Sequence, residues 1–220
     1  MNKTSFRKKA RVLIACEESD EVRSRFDKLG FDAWSCDLQP NRYQKEKHYQ
    51  GSVFDIINDG WDIMIAFQPC THLAVSGAAW FEQKRKDGRQ QEGIDFFMAI
   101  VNAPINRIAV ENPIGIMSSI YKKPTQIIHP YMFGDEASKK TCLWLKNLPP
   151  LYHNQLPNLF DKNVTWVGKG EMFEYKSGKK MAKWFADSWQ LPKEERSKVR
   201  SKTFQGIAEA MAIQWSNVLI

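Results

Sequence analysis

A cysteine and a glutamate in this sequence each follow a short apolar run. Cys70 comes shortly after residues 61–66, with Pro69 directly before it, and Glu111 comes directly after residues 105–110. An ionised thiol is a nucleophile, and a carboxyl group beside it can hold or release a proton. A free cysteine is also often only a small buried hydrophobe, so Cys70 alone leaves both interpretations open.

Both apolar runs are predicted to be buried strands, because they are short and are bounded by residues that break strands. Pro69 has no N–H group for a sheet ladder, and Pro113 is expected in the first turn of a following helix. The carboxyl ends of parallel strands meet at one edge of an open α/β sheet, where ligands bind. We therefore expect Cys70 and Glu111 at the same site.

The beginning of the chain indicates a β-α-β unit. Residues 12–16 form the first strand, Ser19 caps the helix, and residues 31–36 form a second strand that is closed by Asp37. A carboxylate at that position can accept hydrogen bonds from both hydroxyls of an adenosine ribose, although such acids also cap helices or face solvent. The loop at residues 15–19 lacks a Gly-rich pattern, so a pyrophosphate cofactor is not expected, but a cofactor without phosphates needs no such loop.

Two further polar segments each have two interpretations. Asp55 either contacts an adenosine group or caps a short helix. The charged residues 83–92, which include Arg85 and Arg89, form either a mobile loop against a phosphate backbone or an exposed helix start.

The remaining elements are predicted from apolar periodicity. Residues 94–101 carry a helical apolar stripe that we assign to the core, and residues 127–134 and 141–145 are strand candidates. A last helix has one apolar face, formed by Phe204, Ile207, Ala208, Met211, Trp215 and Val218. Residues 151–191 mix aromatic and basic side chains, a composition that suits nucleic acid.

Composition limits the class of protein. The 220 residues are 43% hydrophobic and 26% charged, which predicts one globular domain over residues 1–220. The absence of a long apolar run and of a signal peptide predicts an intracellular, cytoplasmic protein without a membrane partner. The four cysteines have no paired short spacing, which argues against a metal site and against a disulfide framework.

The net charge of +7 favours an anionic partner, with nucleic acid first, although a solvated basic surface would have the same charge. The segments expected to contact phosphates are the N-terminal arm at residues 3–11 and residues 85–89 and 176–183.

With Pro69-Cys70 and Glu111-Asn112 in this order, the chain resembles the DNA cytosine-5 methyltransferases, particularly short phage-type members. Residues 12–19 correspond to the family's first cofactor loop, residues 133–145 to its basic motif and residues 202–215 to its C-terminal helix beside the cofactor. The chain departs from the family in three places. The first loop is not Gly-rich, Ala137, Lys139 and Thr141 replace the glutamine and two arginines of the basic motif, and the usual serine after the cysteine appears only at Ser76.

The resemblance implies a Rossmann-like α/β fold of S-adenosylmethionine-dependent methyltransferases, with a mostly parallel sheet, helices on both faces and a reduced recognition insert at about residues 150–191. It implies methyl transfer to carbon 5 of cytosine in DNA, with Cys70 as the nucleophile and Glu111 as the group that stabilises charge on the ring. The implied cofactor-binding residues are Ala15, Cys16, Glu17, Ser19, Asp37, Leu38, Asp55 and Gln68. The implied substrate-binding residues are Asn112, Ser76, Lys139, Arg85 and Arg89.

Two alternatives stay open from the sequence. The small recognition region is compatible with a free pyrimidine nucleotide or RNA as the acceptor. The altered basic motif is compatible with a nucleic-acid-binding protein that has no catalytic activity.

Overall fold

A seven-stranded sheet lies at the centre of the protein, in a computed structural model that describes residues 9–156, 163–178 and 180–219. Its strands are β1 (Arg11–Ala15), β2 (Asp32–Asp37), β3 (His48–Gln50), β4 (Ile63–Ala66), β5 (Arg107–Pro113), β6 (Gln126–Ile128) and β7 (Thr141–Lys146). The strand order is β3-β2-β1-β4-β5-β7-β6. The first five strands are mutually parallel, and β7 runs antiparallel to both β5 and β6.

Eight helices connect or follow the strands of the described residues. They are α1 (Arg23–Lys28), α2 (Val53–Ile56), α3 (Phe81–Lys86), α4 (Arg89–Val101), α5 (Met117–Ile120), α6 (Lys183–Asp187), α7 (Lys193–Ser201) and α8 (Gln205–Ser216). Short 3-10 helices occur at Val75–Trp80, Pro130–Phe133 and Ser188–Gln190. A separate antiparallel hairpin pairs β8 (Met172–Glu174) with β9 (Lys180–Ala182).

The central strands are apolar along their whole length because both faces of the sheet are covered. All four residues of β4 are fully buried, as expected for a parallel strand between two helical layers. On one face, Phe26 of α1 and Trp215 of α8 pack with Ile14. On the other face, Phe97 of α4 packs with Leu13. The prediction of a Rossmann-like α/β fold, with a mostly parallel sheet and helices on both faces, is confirmed.

Several predicted boundaries are wrong. Pro113 does not begin a helix, because β5 continues through it and pairs it with Thr141 of β7. Residues 127–134 are not one strand, since β6 ends at Ile128 and a 3-10 helix begins at Pro130. Residues 83–92 span the end of α3 and the start of α4, so the helix interpretation of this charged segment is the one found.

Candidate functional site

The sheet order reverses between β1 and β4. From β1 the chain passes through α1 to β2, whereas from β4 it passes through α4 to β5 in the opposite direction across the sheet. In open α/β sheets, the carboxyl ends of the strands at such a point form the ligand-binding crevice. The segments that leave this point are residues 16–22 and 67–74, and both contain residues that the sequence predicts for the site.

Cys70 and Glu111 come together at this edge. Parallel pairing of β4 with β5 ends at Ala66 and Val110, so Glu111 lies just past the end of β4. Glu111 is nevertheless held in a strand, because β5 continues against β7 and places it opposite Leu143. Burial raises the pKa of the Cys70 thiol most, and the negative charge of Glu111 raises it further.

Lys139 and Lys84 lower pKa values that burial raises at this site. Burial raises the pKa of Cys70 most and the charge of Glu111 raises it further, whereas Lys139 and Lys84 lower it. Burial also raises the pKa of Glu111, while Lys139 and a hydrogen bond with the Thr141 side chain lower it. Lys139 therefore stabilises the charged forms of both groups.

Lys84 was not predicted for the site. Its side chain is buried, and its ammonium donates a hydrogen bond to the carbonyl oxygen of Thr71 at 2.6 Å. This bond connects α3 to the segment that follows Cys70. Lys84 lies within a charged run of the sequence, so no feature of the sequence distinguishes it from its exposed neighbours.

The segments after Cys70 and Glu111 are joined through their backbones. Val75 N–H donates to the Ile114 carbonyl and Ile116 N–H donates to the Leu73 carbonyl, each at 3.0 Å. Gly115 lies between these bonds, and a Cβ atom there would lie 2.4 Å from the Leu73 carbonyl oxygen. Only glycine fits so close an approach, so Gly115 holds the two candidate catalytic segments in fixed register.

The first loop of the predicted cofactor site is built differently from the prediction. Ser19 does not cap α1, which begins at Arg23. Instead the buried carboxylate of Glu17 accepts hydrogen bonds from the backbone N–H groups of Val22 at 2.7 Å and Arg23 at 3.1 Å. Burial raises the pKa of Glu17 to about 7. The Glu17 side chain therefore caps the start of α1.

The loop that begins at Cys16 lies beside the end of β2, since Glu17 N–H donates to the Cys36 carbonyl. Ala15 is the last residue of β1, and Cys16 has left the strand with φ of 59°. Burial raises the pKa of Cys16 to about 12, and the charge of Asp37 adds to this effect. The structure therefore brings Cys16 and Asp37 together, and Ser19 is buried farther along the loop.

Asp37 is the last residue of β2 and is partly exposed. Its carboxylate accepts a hydrogen bond from Gln39 N–H at 2.8 Å, and burial is the main cause of its raised pKa. Leu38 beside it is 71% exposed, which leaves an apolar surface for a flat ring. Asp55 is not a helix cap, because Ser52 caps α2, and its exposed carboxylate accepts a hydrogen bond from the Tyr49 hydroxyl at 3.1 Å.

Gln68 is the polar group at this edge with the most unused hydrogen-bonding capacity. It lies just past the end of β4 and is only 4% exposed. Within the described chain, neither its amide nitrogen nor its amide oxygen has a hydrogen-bond partner. Buried amides are normally paired, so Gln68 fits a ligand that supplies both a donor and an acceptor.

The predicted substrate residues are only partly brought together. Lys139 lies at Glu111 in a narrow cleft that Phe204 and Lys202 also line. Asn112 is buried, and its amide nitrogen has no partner among the described residues. Ser76, Arg85 and Arg89 are exposed on the 3-10 helix, on α3 and at the start of α4, and Arg89 is paired with Asp87.

Comparison with known proteins finds similarity among solved structures. Neither a protein family nor a curated protein sequence matches the chain. A prophage-encoded protein of E. coli, provisionally described as a DNA modification methyltransferase, has a crystal structure with 16% sequence identity and a TM-score of 0.43. The similarity covers 87% of this chain and 69% of the other.

Among the described residues, no helix combines the length and the apolar character needed to cross a membrane. The same residues also contain no group of three or more potential metal ligands, and all four cysteines are free thiols.

Proposed function

We propose that the protein is an S-adenosylmethionine-dependent methyltransferase that modifies carbon 5 of cytosine in DNA. The observation that supports this most is the grouping of Cys70, Glu111 and Lys139 at the carboxyl edge of the sheet. This grouping combines a nucleophile, a proton-holding group and a cation. The net charge of +7 suits a nucleic-acid substrate.

Cys70 is the proposed nucleophile. Its thiolate adds to carbon 6 of the cytosine ring, forms an S–C6 bond and moves the ring electrons toward carbon 5, which is unreactive in the free base. Lys139 and Lys84 favour the thiolate, because both lower the pKa of Cys70. After methylation, loss of the carbon 5 proton and departure of the Cys70 sulfur restore the ring and the free thiolate.

Glu111 is proposed to hold the ring while the thiolate adds. Burial raises the pKa of Glu111. When its carboxyl group takes up a proton, it can donate a hydrogen bond to the ring nitrogen as negative charge develops there. Asn112 follows it in β5 and has a free amide donor. In duplex DNA, the target base must leave the stack before it can reach these groups.

The residues around the point where the sheet order reverses, between β1 and β4, fit S-adenosylmethionine. The cofactor has an adenosine ribose for Asp37, an adenine ring for the exposed face of Leu38 and an amino-acid group whose donors and acceptors suit the unpartnered amide of Gln68. It has no phosphates, which agrees with a loop at residues 15–19 that is not Gly-rich. When bound, it supplies an electrophilic methyl group. Asp55 is proposed to contact the adenine edge, and Ala15, Cys16 and Ser19 are proposed to line the pocket.

Covalent trapping tests the proposal. A DNA that carries 5-fluorocytosine should form a stable adduct with the protein in the presence of cofactor, because fluorine cannot leave as a proton does. Cys70→Ser should abolish the adduct and methyl transfer together, since a hydroxyl group is far less ionised than a thiol. Cys36→Ser, which removes a buried thiol but keeps a donor for the Gly51 carbonyl, is the matched control. Methyl transfer by Cys70→Ser at the parent rate would exclude the cytosine-5 mechanism.

A protein that binds nucleic acid without turnover is the second candidate, and one observation favours it. Both burial and Glu111 raise the pKa of Cys70, so the thiol is mainly protonated at neutral pH without a bound substrate. The trapping experiment separates the two functions, because a binding protein retains DNA without forming an adduct. RNA and free cytidine nucleotides, tested in the same assay with labelled cofactor, identify a different acceptor.

A further inference from the structure

Two arginines on α7 share one aromatic platform. Arg196 and Arg200 are four residues apart, which places them on the same helix face. Their guanidinium carbons lie 5.2 Å and 4.2 Å from the Trp189 ring centroid. Arg200 also lies 4.1 Å from the centroid of Phe185, so its guanidinium has aromatic contacts from two rings. These contacts fix the orientation of both charged groups.

The protein provides few acceptors for these cations. Arg200 donates from Nε to Ser188 Oγ at 2.7 Å, and Arg196 donates to the Leu191 carbonyl oxygen at 3.3 Å. Among the described residues, neither is within ion-pairing distance of a carboxylate. Arg196 Nε and one terminal nitrogen of Arg200 are buried without a partner. A guanidinium has five N–H donors, so most of this capacity is unused.

The two charges also repel each other. Burial lowers the pKa of Arg200, and the charge of Arg196 lowers it further. A pair of like charges that the protein holds together without a counterion gains free energy when an anion binds between them. Arginine forks match the oxygen geometry of a phosphate, and arginine with aromatic rings is typical of nucleic-acid recognition.

The position of the pair relates it to the candidate active site. Lys202 follows α7, and its carbonyl oxygen accepts a hydrogen bond from the Lys139 ammonium at 3.4 Å. At 1.5 Å of rise per helical residue, Arg196 and Arg200 lie roughly 9 Å and 3 Å along the helix axis from Lys202. The helix therefore leads from the arginine pair directly to Lys139.

We propose that Arg196, Arg200 and Trp189 form a phosphate-binding site that holds the nucleic-acid backbone next to the target base. The choice of a backbone phosphate as the ligand rests on the proposed function. The site itself rests on the two guanidinium groups and their lack of counterions. Neither arginine is needed for the chemical step.

DNA affinity and its salt dependence test this site. The probe is a duplex DNA fragment, titrated against the full-length protein at several salt concentrations. Arg196→Gln and Arg200→Gln should each weaken binding by about tenfold and reduce the salt slope by about 1. Lys198→Gln is the matched control, because Lys198 is exposed and about 160° around the same helix from both arginines, and it should change affinity by less than about threefold.

Lysine replacements separate charge from geometry. Arg200→Lys should keep most of the salt slope but weaken binding, because a lysine keeps the charge without the fork or the stacking. Thermal unfolding shows whether each variant is folded, and Arg196→Gln, which has looser aromatic contacts, replaces Arg200→Gln if the latter unfolds. Inorganic phosphate is titrated in parallel, and binding of free phosphate alone, without retention of DNA, would overturn a backbone site.

The outcomes distinguish this inference from the proposed activity. If DNA binding depends on the arginine pair but no methyl transfer occurs, the phosphate site stands and the proposed activity fails. If methyl transfer occurs while both glutamine variants bind DNA no more weakly than Lys198→Gln, the phosphate site is refuted.

Discussion

Besides burial, which is the main cause, the negative charge of Glu111 raises the pKa of the Cys70 thiol, so the candidate acid acts against the ionisation of the candidate nucleophile. Lys139 relieves this opposition, because it lowers the pKa of both groups. The state of the thiol therefore depends on charged neighbours of both signs, with Lys84 also lowering its pKa. A bound base that accepts a hydrogen bond from protonated Glu111 would remove the opposing charge when the nucleophile is needed.

Alkylation of Cys70 should report this balance directly. Lys139→Gln should slow modification by iodoacetamide at pH 8, because it removes a charge that favours the thiolate, and Glu111→Gln should accelerate it. Cys16, Cys36 and Cys142, whose pKa values are raised to about 12, about 12 and about 11, should react far more slowly. Mass spectrometry identifies the modified site. Equal rates in the parent and both variants would show that these charges do not control the thiol.

Asp37 should contribute strongly to cofactor affinity. Asp37→Ala removes an acceptor for two ribose hydroxyls, and the loss of hydrogen bonds to a charged group predicts binding weaker by tenfold or more. Calorimetry with S-adenosylmethionine measures the change. Asp32→Ala, at the opposite end of the same strand, controls for loss of a β2 carboxylate, and an equal effect of both substitutions would contradict the ribose assignment.

Glu17 should make stability depend on pH. Its pKa is about 7 in the folded protein and 4.5 ordinarily. Between these values the folded state holds more protons than the unfolded state, so this group lowers the free energy of unfolding as pH rises from about 4.5 to about 7. Denaturant unfolding of Glu17→Gln should show a weaker decline across that window. The exposed Glu82→Gln provides the control, and identical pH profiles for all three proteins would exclude a buried, titrating Glu17.

Gly115 should be intolerant of even one added carbon. Gly115→Ala places a Cβ atom against the Leu73 carbonyl, which separates the segments after Cys70 and Glu111. We expect a loss of 5-fluorocytosine trapping by about tenfold or more, since small displacements of catalytic groups have large kinetic effects. Gly168→Ala meets no atom within 4 Å and should trap DNA as the parent does. Normal trapping by Gly115→Ala would mean that the two segments are not positioned by this contact.

The sequence predicted the fold better than the boundaries of its elements. The apolar runs that became β1, β4 and β5 were recognised because strands covered on both faces are continuously apolar. The extension of β5 through Pro113 was missed because it depends on β7, which is distant in sequence. Local signals also placed the cap of α1 at Ser19, whereas Glu17 reaches across the turn to the helix start.

In the candidate site, too, some residues could be predicted from the sequence and others depend on contacts of the folded chain. The order of motifs predicted Cys70, Glu111 and Asp37, because residues at strand ends share an edge whatever their separation in sequence. Lys84 could not be predicted, since its role depends on burial against the Thr71 carbonyl. The arginine pair on α7 could not be predicted, because stacking on Trp189 is a property of the folded chain.

The packing of α8 on α1 also has a consequence for synthesis on the ribosome. Trp215 and Met211 complete the layer that covers Ile14 and Ile63, and they are translated after the strands of the central sheet. Until they emerge, one apolar face of the nascent sheet is exposed to water, although all seven of its strands have already been made. We therefore expect a stalled chain that ends before residue 205 to bind chaperones and to be cleaved readily by proteases.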